Sequence, residues 1–150
     1  MSSILVRQEI EDFIVAEFPS EQLCDLSADF AEINDLLKNF GYQPGTPWLG
    51  ITYLGGDEIP VDIRANHTVG KYRETGVIQL HVVERAQLSV VKKILPRGEA
   101  LRNGFRGRRI GKTLIRSIST VQFGQGATIS FNGGYQAGLI EMTYERDIDL

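Results

Sequence analysis

The residues with the most obvious chemical use here are Gly111-Lys112-Thr113, His67, His81, Cys24 and a few adjacent carboxylates. A Gly-Lys-Thr triplet belongs to a phosphate-binding loop only when an earlier glycine stands in fixed register, a strand precedes and a helix follows. That register falls on Arg106, and Gly104 and Gly107 are both out of step. The context is inverted too, reading helix first and strand second. A zinc site needs about four ligands in close spacing, which one cysteine and two scattered histidines do not supply. His81 sits in a β-rich run and His67 in a turn-rich stretch. No Gly-x-Ser-x-Gly marks a hydrolase nucleophile. Glu11-Asp12 and Asp57-Glu58 are neighbours in sequence, so in a helix or strand their side chains diverge and are solvated. These residues call for no cofactor and no metal, and the chain is expected not to be an enzyme.

A different chemistry is concentrated between Lys92 and Arg116. Lys92, Lys93, Arg97, Arg102, Arg106, Arg108, Arg109, Lys112 and Arg116 make nine of the 16 basic residues. Arginine dominates, and its planar fork suits bidentate pairing with carboxylate or phosphate. If residues 98–109 form a helix, Arg102, Arg106 and Arg109 share one of its faces. Arg97, Arg102, Arg106, Arg108, Arg109 and Lys112 are therefore the candidate docking residues. The same charges also fit an ordinary solvated surface, or a duplex DNA site that touches phosphates without reading sequence. Aromatic side chains for stacking single strands are nearly missing there, Phe105 excepted.

The elements that must position this segment follow from the pattern of the whole chain. Its 150 residues, 42% hydrophobic and 23% charged, fit a single domain with a real core. Net charge is only −3, so the basic segment is a local asymmetry, matched by acids crowding the first quarter from Glu9 to Asp35. Such a chain is able to pair with copies of itself. The lone Cys24 excludes an intramolecular disulfide. No apolar run approaches the roughly 18 residues needed to span a bilayer, and acids interrupt the N-terminal stretch where a signal peptide is apolar. A cytosolic product with no membrane partner is expected.

Val6, Ile10, Phe13, Ile14 and Phe18 recur at helical steps, predicting a first helix over about 4–17, stopped by Pro19. A second helix is expected over 26–40, with Ser27 as cap and Gly41 beyond its end. WLGITYL (48–54) and VIQLHVVE (77–84) read as an antiparallel strand pair. Residues 57–75 between them carry Pro60 and Gly70 and read as a long working loop. Asp57, Glu58, Arg64, Lys71, Tyr72 and Arg73 are its candidate contact residues. A short helix over 86–95 that Pro96 breaks, a helix over 98–109 and a strand over 112–123 follow. Asn132-Gly133-Gly134 marks a reversal, and the alternating LIEMTYERD is a closing strand. The expected class is α+β: a single domain with a mixed or antiparallel sheet of about 4–5 strands, N-terminal helices and one mid-chain helix.

In this order of elements the chain resembles the tail terminator (tail completion or neck) proteins of long-tailed bacteriophages. The resemblance rests on the N-terminal amphipathic helix, GYQPGTPWLGITYL, the long loop, GVIQLHVVERA, LPRGEALRNGFRGRRIG and the closing GLIEMTYERDIDL. It implies a structural virion protein, expected to close into a hexameric ring at the head-proximal end of the tail tube. Such a ring ends tube polymerisation and offers the surface that joins the head connector. The implied partners are other copies of the chain, the tail tube protein, the head-completion or connector protein, and DNA passing through the lumen without sequence preference.

Overall fold

The fold is taken from a computed structural model that describes residues 4–26, 47–63, 69–85, 91–123 and 135–149. Helix α1 is Ile4–Glu17, and Val6, Ile10 and Ile14, spaced four apart, are each completely buried. Strand β1 (Leu23–Asp25) follows, then β2 (Trp48–Leu54), β3 (Glu58–Ile63) and the long β4 (Val69–Arg85). Helix α2 is Val91–Phe105; after it come β5 (Arg109–Ile110), β6 (Thr113–Ile118) and β7 (Tyr135–Asp149). The architecture is α+β, as the sequence predicts. Among the described residues the sheet has seven strands in the order β1-β2-β4-β7-β6-β5, with β3 paired to β4 beside β2, where about 4–5 were expected. Apart from Leu26, the second N-terminal helix expected over 26–40 lies outside the described residues, as does the Asn132-Gly133-Gly134 reversal.

Period-two burial explains the sheet. Ile51, Leu80 and Ile140 stand side by side across β2, β4 and β7, as do Tyr53, Ile78 and Met142 in the next row. These side chains form one buried face, which α1 and the α2 residues Ile94, Leu101 and Phe105 cover. The expected pairing of 48–54 with 77–84 is present, with Trp48 opposite Val83 and Leu54 opposite Val77. The closing strand is present as β7, which pairs with β4 from Lys71↔Asp149 to Arg85↔Tyr135.

Three readings need correction. Within 57–75 the described residues 58–63 and 69–75 are strand and not loop; β3 and the first half of β4 make a bulged antiparallel pair, with Glu58 opposite Glu74 and Ile59 opposite Arg73. Pro96 does not break α2, which runs through it and buries Gly98 against Val121. The helix also stops at Phe105 instead of reaching 109, because Gly107 adopts a left-handed φ of 62°. Arg106 and Arg109 therefore lie beyond the helix and do not share a helical face with Arg102.

Candidate docking surface

The turn between β5 and β6 holds Gly111 and Lys112 and leads into Thr113, the first residue of β6, with Gly111 at a φ of 60°. Its amides are engaged from within the molecule. Glu9 on α1 places Oε2 where it accepts the Lys112 N–H at 2.9 Å and the Thr113 N–H at 3.2 Å. The other oxygen of Glu9 accepts from Arg146 Nε at 3.2 Å and Nη2 at 2.9 Å. Arg146 is only 7% exposed and projects from the core-facing row of β7, beside Tyr144 and Met142. The amides that would cradle a phosphate thus cradle a carboxylate of the same chain, and their use is to fasten α1 to the sheet edge.

The candidate docking residues divide into two sets. Arg97 projects from α2 into a cluster of acceptors: both oxygens of Glu21, Glu84 Oε1 at 3.1 Å, the Val83 carbonyl at 2.9 Å and the Trp48 carbonyl at 3.2 Å. Burial alone would lower its pKa, but hydrogen bonding and charge from Glu21, then Glu84, hold the guanidinium above its ordinary value. Arg102 donates to the Ser119 carbonyl at 2.7 Å and to Glu99 at 2.8 Å, its side chain 12% exposed. Both are internal struts. Arg106, Arg108, Arg109 and Lys112 are exposed. They lie on the short run that leads from the end of α2 through β5 to the β5–β6 turn, where Arg109 and Lys112 line one cleft. Arg108 lies over the Phe13 ring, 5.3 Å from its centroid, with Glu17 at 3.9 Å. Under it Phe13 and Phe105 pack edge to face at 4.9 Å, so the corner rests on a firm aromatic floor.

The residues expected on a loop fall elsewhere. Lys71, Tyr72 and Arg73 are in β4, Asp57 and Glu58 are exposed at the start of β3, and Arg64 lies outside the described residues. Arg73 nevertheless meets the basic corner: Arg73, Arg109, Gly111, Lys112, Leu114, Glu145 and Asp147 line an open cleft of about 380 Å³. Arg73 donates to both oxygens of Asp147, at 2.8 and 3.3 Å, with Glu145 at 4.0 Å. Arg116 reaches Glu145 at 3.1 Å and Lys71 lies 3.9 Å from Asp147. The hydrogen bonds from Arg73 hold the Asp147 carboxyl below its usual range, and Arg109 adds only its field. Among the described residues that line the cleft, two carboxylates thus face three cations, Arg73, Arg109 and Lys112, while Lys71 and Arg116 reach the same carboxylates from outside the lining.

Sequence reasoning missed Glu9, Glu21, Glu84, Glu145, Arg146 and Asp147. For β7 the signal exists: Glu145 and Asp147 share the outward phase of the alternation, while Arg146 is a charge standing in its apolar phase and requires a buried partner. His81 is 2% exposed, with Nε2 at 3.4 Å from Thr52 Oγ1 and no partner for Nδ1 among the described residues. Burial pushes its pKa down to about 4 and that of the Cys24 thiol up to about 11. Among the described residues no group of three His, Cys, Asp or Glu side chains is arranged to hold a metal, and no helix is long and apolar enough to cross a membrane.

No family model matches the sequence, and no curated protein matches it either. Thirteen solved chains match in fold. One of them, which carries no functional name, superposes with a TM-score of 0.51 at 18% identity, over 97% of this chain and 96% of its own. At that identity the likeness speaks for the fold alone.

Proposed function

We propose that this chain is a structural virion protein that closes into a ring, expected to be hexameric, at the head-proximal end of a long phage tail. It ends growth of the tail tube there and presents the surface on which the head connector is seated. The reading rests on the order of sequence elements that resembles tail terminators. The single structural observation in its favour is the division of the basic segment. Arg97 and Arg102 are consumed in holding α2 to the sheet, while Arg106, Arg108, Arg109 and Lys112 are exposed on the run from the end of α2 to the β5–β6 turn, Arg108 with only a long ion pair to Glu17. Charges displayed on a fixed scaffold and not spent inside it suit a contact with another molecule. For duplex DNA the usable set shrinks from six candidates to these four, which favours contact with protein as the main task and leaves passing phosphates a minor role.

The test is polymerisation of purified tail tube protein with and without this chain, followed by electron microscopy. Capped tubes of limited length, with rings visible at one end and in the free protein, are expected. Tubes that grow unaltered, with no ring in either sample, would overturn the reading.

A further inference from the structure

The outer edge of β3 is open among the described residues, since β3 pairs only with β4. Open edges invite pairing, and proteins blunt them with charge and proline. Here both devices are present, in Asp57, Glu58 and Pro60, yet Ile59 and Val61 remain 49% and 40% exposed and Leu54 43%. Pro60 has no N–H, so continuous strand addition is obstructed, and what the edge offers is a side-chain surface, acidic at its start and apolar beside it. Neither Asp57 nor Glu58 forms an ion pair among the described residues.

A single row of residues links this edge to the basic corner. Glu58 stands opposite Glu74, Glu74 opposite Arg146, Arg146 opposite Thr113, and Thr113 opposite Ile110. Glu58 and the β5 corner are thus the two ends of one row across five strands, about 19 Å apart at the usual strand spacing. At opposite edges of the sheet and that far apart, they form no ion pair with each other within a chain.

Resting on the ring reading, we infer that the acidic β3 edge of one copy docks on the basic corner of Arg106, Arg108, Arg109 and Lys112 of a second copy. Two unlike patches at opposite ends of a sheet make a head-to-tail contact, which repeats from copy to copy and closes when the rotation permits. Opposite charge supplies the complementarity and the register, and Ile59 and Val61 supply apolar area beside it. The exposed guanidinium groups are suited to bidentate pairing with Asp57 and Glu58.

The experiment is sedimentation velocity on the full chain at low salt. Four samples are compared: wild type, Asp57→Lys with Glu58→Lys, Arg106→Glu with Arg109→Glu, and an equimolar mixture of the two reversed chains. Circular dichroism confirms that each is folded, since every altered side chain is exposed. Wild type is expected to self-associate and each reversed chain to lose about a hundredfold or more in association, because like charges then face each other. The mixture is expected to associate again, because a basic edge of one chain meets an acidic corner of the other. Reversed chains that associate like wild type, a mixture that stays monomeric, or wild type that is monomeric at its highest soluble concentration would each overturn the inference. Tube capping by the same proteins separates the two failures. Capping that persists in reversed chains sinks this contact alone, whereas loss of capping by wild type sinks the ring reading.

Discussion

Arg97 and Arg109 come from one basic segment and have opposite surroundings. Arg97 sits among Glu21 and Glu84, whose side chains are 11% and 9% exposed, whereas Arg109 stands in solvent. Removing one partner of a buried ionic cluster leaves uncompensated charge, which costs far more than the net value of the pair. Arg97→Met is therefore expected to lower stability by about 3–5 kcal/mol, and Arg109→Met to stay within about 0.5 kcal/mol. Urea unfolding midpoints check this, and equal losses in the two variants would contradict the division into struts and displayed cations. The sequence does not reveal that division. Both are arginines in a basic run, and what separates them is the arrival of Glu21 and Glu84 from α1's exit and from β4. No local pattern encodes that meeting. Arg146 was more legible, because an ionised side chain in the apolar phase of an alternating strand must find a counter-charge.

Two glycines define the ends of the elements around the corner. Gly107 has a φ of 62° and open space where a side chain would go; Gly111 has a φ of 60°, and a Cβ there would come within 2.3 Å of Glu9 Oε2. Gly107→Ala is expected to cost about 1–2 kcal/mol, the strain of a left-handed residue. Gly111→Ala is expected to cost about 3 kcal/mol or more, because the new methyl also pushes Glu9 off the Lys112 and Thr113 amides. Thermal unfolding of the two variants side by side measures the difference, and a smaller loss at Gly111 would argue against Glu9 as the fastener of α1. Elements with clean periodicity, α1, β2 and β7, were legible for the usual reason: one face is apolar. The first half of β4 was not, because KYRET sets half-buried Lys71, Arg73 and Thr75 on one side and turns a buried Glu74 inward on the other. A strand with a charge on each face looks like a loop. Pro60 and the bulges of β3 removed the remaining cue.

At the scale of the whole molecule, the α+β class followed from helical steps at the front and alternation behind. The strand count did not, since β1 has three residues and β5 two, too few to show a period. The net charge of −3 hides a polarity between an acidic edge and a basic corner that appears only once the sheet is assembled. Contacts made through exposed charge are screened over about 10 Å at 0.1 M salt and about 3 Å at 1 M. Self-association of this chain is therefore expected to weaken steadily as salt rises across that range, read by light scattering at constant protein concentration. Association strengthened by salt would point instead to the exposed apolar residues as its source.

The register of β4 with β7 carries one more consequence. Fifteen consecutive pairs join them, and antiparallel hydrogen bonds lie across the strand axis. A pull directed along that axis stretches all of these bonds simultaneously instead of opening them one after another. The pair behaves as a lap joint rather than a zip fastener, and it resists a pull along its axis better than one that peels it open.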